Sequence, residues 1–410
     1  MDMRPSPRQQ QLMDRAYKLA IERFAPRAAT HDREASFPIE DYADLHAAGL
    51  LALCVPESYG GLGADFETYC LVAEQMARGN ASTALTYNMH ALTMLMMGPL
   101  MQGLELPPDV RERHEQLSAR RYREVVDQGI FYGQPHSEPV ESGSTDQLNV
   151  GGRRFGTRAE RVDGGYLVNG RKFFVSLAGA AHYYATPALL VNDGPWEDRT
   201  LYLAIPRDTP GVQFTGEWDP LGMRATVSLD MVLTDVWVPA DAEILPPGIF
   251  AQLYQRQPYL FLGFSATFLG LMQAAYDYTI AYLTGRVPGA PGLQGAAPAR
   301  EYAVAEMLFT LEATRALYYR AISEERLDPP VESMQRARAA HVQVQRAVVQ
   351  LTGEAIRVCG GRALLKRYPL ERYYRDARAS ALMRPLTQDI ATQQAWETAL
   401  DRRRVDQPSR

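Results

Sequence analysis

Few side chains in this sequence have a type and spacing that could do chemistry. Arg375, Asp376 and Arg378 alternate cation and acid within one turn, a pattern that suits an internal ion-pair network better than a reacting centre. His90 follows Asn88 and Met89 in an apolar run. Histidine changes charge near neutral pH, so His90 is a candidate catalytic acid or base, and equally a packed core residue. His182 and His341 read as structural. Acids are missing over two long intervals: there is no Asp or Glu from Ile244 to Tyr276, nor from Ala377 to Gln388. Cys54, Cys70 and Cys359 are far apart and odd in number, without a CxxC pair, so neither a metal site nor a disulfide framework is expected. No GxGxxG joins a strand to a helix and no GxxxxGK[ST] occurs, which leaves the usual Rossmann and P-loop phosphate cradles unsupported.

The elements that must position these residues fall into three zones. Residues 1–130 read as a helical domain, with helices expected over Pro7–Arg23, Ile39–Ala48, Glu67–Arg78 and Ser82–Met97. Leu85, Met89, Leu92 and Met96 recur at helical spacing, and Asn80 is placed to cap that last helix. Residues 131–245 change to strand period, with Val227, Leu229, Met231 and Leu233 on one face and Gly-rich breaks between short strands, as in an antiparallel barrel or sandwich. Residues 246–410 return to helix as a four-helix bundle, with Ala337, His341, Val344, Val348, Leu351, Ala355 and Val358 forming one long stripe. Helices, then sheet, then helices make an α+β multidomain chain rather than alternating βαβ units.

Bulk composition agrees with a globular enzyme. The 410 residues are 46% apolar and 22% charged, the balance of a soluble protein of two or three domains. A net charge of -5 excludes the basic footprint of a nucleic-acid binder. The most apolar stretch, Leu260–Ala275, is too short for a membrane span and is interrupted by polar residues. Met1–Arg23 has no apolar core segment, so no signal peptide is read there and a cytoplasmic location is expected.

Five motifs, in order, then resemble the acyl-CoA dehydrogenase superfamily over about residues 7–395. They are Val55-Pro56-Glu57-Ser58-Tyr59-Gly60-Gly61-Leu62-Gly63, Ser137-Glu138-Pro139 with Gly143-Ser144, Asn169-Gly170-Arg171-Lys172-Phe173-Phe174-Val175-Ser176, Leu221-Gly222-Met223-Arg224, and Cys359-Gly360-Gly361 followed by Pro369-Leu370-Glu371-Arg372-Tyr373-Tyr374-Arg375-Asp376. The resemblance implies FAD in a cleft between the β domain and the C-terminal helices. A flat ring system with one polar edge needs an apolar wall and a few fixed donors. By resemblance Ser137 meets the pyrimidine edge, Phe174 stands where a Trp flanks the ring, Ser176 lies near N5, and Ser144 and Gln388 lie near the phosphates. Arg286 and the Gly360–Gly361 turn match groups that reach the pyrophosphate of a neighbouring subunit, which implies a homodimer or homotetramer. Glu138 matches a structural residue of its turn.

One part of the pattern breaks. Thioester desaturation in this family needs a glutamate to remove the α-proton. The first family position falls on Arg384, or on Pro385 after a shift of one; the second falls on Leu260, with Phe261 where an arginine is usual. The Asp and Arg that hold the CoA end are also missing there, with Arg256 about one turn away. Arginine stays protonated at neutral pH and cannot be the base, so Arg384 would attract an anion, or point away to pair with an acid. Three functions follow: α,β-desaturation of an acyl thioester by a displaced base, using an electron-transfer flavoprotein; a two-component flavin monooxygenase or oxidase working on an apolar metabolite with a flavin reductase; or a silent flavin-binding paralogue.

Overall fold

The computed structural model describes residues 4–138, 156–293, 295–383 and 386–400. Ser144 and Arg384 therefore lie outside the described residues. The N-terminal helices are α1 (Pro7–Leu19), α2 (Ala25–Glu34), α3 (Ile39–Ala47), α4 (Phe66–Ala77), α5 (Ala81–Met97) and α6 (Pro108–Gln128). Local chemistry sets their starts. Ser6 and Gln9 exchange side-chain and backbone hydrogen bonds in a capping box before α1. Asp65 accepts from the Thr68 amide to open α4, and Asn80 accepts from the Ser82 amide to open α5. The helix expected over Pro7–Arg23 does not stop there: a π-helical turn, Ala20–Phe24, carries it directly into α2.

Strands β1 (Tyr132–Gly133), β2 (Arg158–Val162), β3 (Gly165–Val175), β4 (Tyr183–Leu190), β5 (Thr200–Pro206), β6 (Val212–Thr215), β7 (Leu229–Pro239) and β8 (Glu243–Leu245) form one eight-stranded sheet. Its order is β6-β7-β3-β2-β4-β5-β8, with β1 alongside β4. The sheet is mixed rather than wholly antiparallel, because β4 runs parallel to both β1 and β2. Met231, Leu233, Val236 and Val238 of β7 are buried; the alternation skips a residue at Asp235, which has a left-handed backbone.

The remaining helices are α7 (Ile249–Arg256), α8 (Leu262–Leu283), α9 (Pro298–Ile322), α10 (Val331–Cys359), α11 (Leu370–Ala377) and α12 (Gln388–Ala399). The apolar run of α8 is the buried axis of the molecule, packed against α4, α5, α9 and α10. A Cβ on Gly270 would lie 2.1 Å from the Glu74 carbonyl oxygen, so only glycine allows α4 and α8 to approach this closely. Glu74 itself is buried, and Arg315 of α9 and the Tyr319 hydroxyl bond its carboxylate. The predicted α10 stripe is buried along its whole length. No described helix is long and apolar enough to cross a membrane.

The loop from β6 to β7 is fastened to α11. The Asp376 carboxylate accepts from the Met223 amide at 2.6 Å, and a Cβ on Gly222 would sit 2.2 Å from the Arg375 carbonyl oxygen. Arg375 pairs with Asp32 of α2 and Glu371 of α11, drawing all three zones together. Burial pushes the Asp376 carboxyl up to about 6, against the pull of Arg372 and the Met223 amide. Two outcomes are expected. Gly222→Ala forces the loop off α11 and should cost about 1–3 kcal/mol in chemical denaturation. For Asp376 the folded state holds its proton more tightly than the unfolded chain, so its favourable contribution is complete below about pH 4 and is lost as pH rises through about 6. Asp376→Asn, which keeps the acceptor, should be more stable than wild type at pH 7 by roughly 1–3 kcal/mol, with the difference vanishing near pH 4. A constant difference across that pH range would contradict it.

Candidate functional site

A cavity of about 540 Å³ opens where the three zones meet. Leu85, Met89 and Leu92 of α5 form one wall, Leu260, Phe261 and Phe264 at the start of α8 another, and Trp218 with Leu221–Met223 a third. The volume is that of a small-molecule site.

The polar side of the cavity is built from β3. Between Lys172 and Val175 the β3–β7 register slips, and Phe174 takes a left-handed backbone (φ 51°). A bulge of this kind re-aims a side chain; here it leaves the Phe174 ring on the cavity wall, 68% exposed. Two residues on, the Ser176 hydroxyl lies 2.9 Å from that of Ser228, which lies 2.8 Å from that of Thr226. Ser137 faces the same space, and its carbonyl accepts from the Phe173 amide at 3.0 Å.

Glu138 holds this segment in place. Its buried carboxylate accepts from the Lys172 ammonium, the Thr157 hydroxyl (2.7 Å) and the amides of Gly156 and Thr157. Lys172, fully buried, also donates to the Pro187 carbonyl at 2.8 Å. Burial would raise the Glu138 carboxyl, but the Lys172 charge and these hydrogen bonds hold it below its ordinary value. Glu138 is an ionised anchor rather than a base.

Ser137, Phe174 and Ser176 thus share one wall, and Ser228 and Thr226 join them. The other proposed contacts do not line this cavity. Arg286 lies exposed beyond α8, donating to the Thr284 hydroxyl at 2.9 Å. Gln388 is the first residue of α12. Gly360 needs its glycine for a backbone φ of 82°, and a Cβ on Gly361 would meet nothing of this chain within 4 Å.

His90 is also corrected as an acid or base. It is fully buried on the side of α5 turned away from the cavity, and its Nε2 bonds the Leu51 carbonyl at 2.8 Å. Burial lowers it to about 4, despite that bond. Spacing alone could not distinguish the face with Met89 from the face with His90. His182 and His341 are likewise held by the backbone, through the Phe131 amide and the Leu386 carbonyl. Of the expected ion-pair residues, Arg375 is paired as described, while Arg378 caps α11 through its backbone amide and lines the cavity with no side-chain hydrogen bond or ion pair to another described residue.

Two residues given no site role from the sequence lie in the cavity, His136 and Tyr254. His136 directly precedes the Ser137-Glu138-Pro139 motif, and that position was the available signal. No Asp or Glu is among the described residues lining the cavity.

The comparisons agree with the fold. Family profiles described as the acyl-CoA dehydrogenase N-terminal, middle and C-terminal domains match residues 6–103, 141–236 and 262–384. The chain is 30% identical over 394 residues to the putative acyl-CoA dehydrogenase YdbM of Bacillus subtilis, covering 95% of this chain and 97% of that one. It superposes on KijD3 in complex with FMN and a dTDP-sugar with a TM-score of 0.79, at 26% identity over 97% of this chain and 95% of that one. A likeness of fold alone, at 22% identity and TM-score 0.77, extends to a dibenzothiophene monooxygenase from Paenibacillus sp. A11-2, over 96% of this chain and 97% of that one. The motifs, the three-zone fold and these matches place the chain in the acyl-CoA dehydrogenase family.

Proposed function

We propose that this chain is a two-component flavin monooxygenase: an oxidoreductase that holds FAD against the Phe174–Ser176 segment and oxidises a small, largely apolar molecule with oxygen. The observation that carries this reading is a cavity with a bulge-presented aromatic wall and converging hydroxyls, but no carboxylate among its described lining residues.

The residues present fit a flavin. Phe174 offers a largely exposed ring, met edge-on by Phe173, and a flat ring system would bury it. Ser137 and Ser176 supply donors for a polar edge, with Ser228 and Thr226 fixing the Ser176 hydroxyl. Leu85, Met89, Leu92, Leu260, Phe261 and Phe264 exclude water from the opposite side. Reduced FAD would supply two electrons to oxygen, so that, with two protons, one oxygen atom enters the substrate and the other leaves as water. A separate reductase would renew those electrons. Arg286, Gly360, Gly361 and Gln388 would meet the phosphate tail in a homo-oligomer, dimer or tetramer, in the cytoplasm. The exposed apolar side chains Tyr302, Phe309, Leu364 and Leu382 support such an assembly. Arg378, whose side chain lines the cavity, would attract an anionic group there.

α,β-Desaturation of an acyl thioester is the second reading, favoured by the similarity to YdbM. It requires a base to take the α-proton. Leu260 and Phe261 line the cavity where the family's second glutamate position falls, and neither can do so.

Two measurements separate the readings. With FAD bound and oxygen absent, a panel of acyl-CoAs is expected to leave the visible flavin band unbleached, while a flavin reductase with an apolar probe such as indole should give oxidised product matched to oxygen consumed. Bleaching by any acyl-CoA would instead establish desaturation. Yellow protein inert in both assays would leave the silent paralogue. Phe174→Ala should weaken FAD binding roughly three- to tenfold, the worth of an aromatic contact of about 0.5–1.5 kcal/mol, read by fluorescence titration.

A further inference from the structure

One corner of the apolar cavity is polar and is used by none of the roles given above. His136 stands between two tyrosines: its Nδ1 lies 3.2 Å from the Tyr254 hydroxyl and its Nε2 3.0 Å from the Tyr202 hydroxyl. The Tyr202 hydroxyl is in turn within hydrogen-bonding reach of Thr93 and Gln134, whose amide donates to Thr93 at 3.0 Å. Phe250 packs edge-on against His136 and stacks on Tyr202, fixing the ring positions. Tyr254, His136 and Gln134 all face the cavity, whereas Tyr202 is fully buried.

A phenolic hydroxyl can donate once and accept twice. Among the described residues the Tyr254 hydroxyl has one hydrogen-bond partner, His136, so it keeps capacity on its cavity side. The direction of that capacity is reversible. If Tyr254 donates to Nδ1, Nε2–H donates to Tyr202 and the Tyr254 oxygen accepts from a ligand. If the imidazole carries its proton on Nδ1, Tyr254 accepts from it and its own O–H is free to donate. Burial, reinforced by the Lys172 charge, lowers His136 to about 3, so both arrangements are neutral tautomers and exchange involves no buried charge. A purely apolar substrate would gain nothing from such a corner and would leave the Tyr254 hydroxyl facing hydrocarbon, at a desolvation cost.

The geometry points to a recognition subsite: Tyr254, with His136 as its positioning residue, selects a compact aromatic molecule carrying a hydroxyl or carbonyl oxygen over the same ring without it. The Phe261 and Phe264 rings on the cavity wall suit the ring of such a ligand, and its oxygen reaches Tyr254. This rests on the cavity being the substrate site, as proposed above, but not on the reaction that occurs there.

The test needs no turnover. FAD-loaded protein, its visible spectrum confirming the cofactor, is titrated calorimetrically with 2-naphthol and with naphthalene. Wild type should bind 2-naphthol at least tenfold more tightly. Tyr254→Phe should remove that preference while changing naphthalene affinity less than twofold, and His136→Gln should retain part of it. A merely structural pair would lower affinity for both probes alike, and that result, or an equal affinity in wild type, overturns the proposal. Should Tyr254→Phe fold poorly, ¹⁵N signals of the His136 ring in wild type decide: they should shift with 2-naphthol and stay fixed with naphthalene, and identical behaviour overturns the assignment. Selectivity without oxygenation would sink only the monooxygenase reading.

Discussion

The cavity exists in its present shape because Glu138 and Lys172 are ionised partners inside the protein. Neither side chain could stay charged there alone; the cost of dehydrating an isolated ion is several kcal/mol even after relaxation. Together, with Thr157, Gly156 and the Pro187 carbonyl completing their hydrogen bonds, they tie the 134–138 segment to β3, β4 and the start of β2. Ser137 and His136 sit immediately before the anchored carboxylate, and Phe174 and Ser176 immediately after the anchored ammonium. One buried pair therefore sets the relative position of the polar groups on two sides of the site. Such a pair is weak as a source of stability and strong as a fix on register, since a one-residue slip would strand both charges.

The other walls reach the site from further away, each with its own fastening. The 218–228 loop is clipped to α11 by Asp376 and the close passage at Gly222. Helix α5 presents Leu85, Met89 and Leu92 to the cavity, and its Asn88 accepts from the Tyr69 hydroxyl of α4 at 2.6 Å. Function here is assembled from segments more than two hundred residues apart, each made rigid locally before it meets the others. Among its described lining residues the cavity is largely aliphatic and aromatic, with hydroxyls on the β3 side, Arg375 and Arg378 from the C-terminal zone, and a polar corner at His136 and Tyr254.

What the sequence disclosed follows from how local each signal is. Helix starts at Ser6, Asp65 and Asn80 are set by side chains within three residues, and of these caps Asn80 was the one legible in advance, for α5. The α10 stripe was legible because 29 residues repeat one period. The parallel pairing of β4 with β1 and β2 was not, since strand direction depends on connections that leave no periodic trace. At the site, motifs pointed to Ser137, Phe174 and Ser176, but the positive φ of Phe174 arises from a bulge against β7 and cannot be read from β3 alone. His90 and His136 exchanged significance for the same reason: only tertiary packing decides that one bonds the Leu51 carbonyl and the other faces the cavity.

Helix α8 has a mechanical consequence. Its first turn carries Phe264 on the cavity wall, and its far end leads within three residues to Arg286 on the outer surface. Twenty-two residues at the α-helical rise make a strut about 33 Å long. Helices α4, α5, α9, α10 and α11 all pack against it. The cavity wall at Phe264 and the outer surface near Arg286 are thus the two ends of one helical element, joined without passing through the sheet.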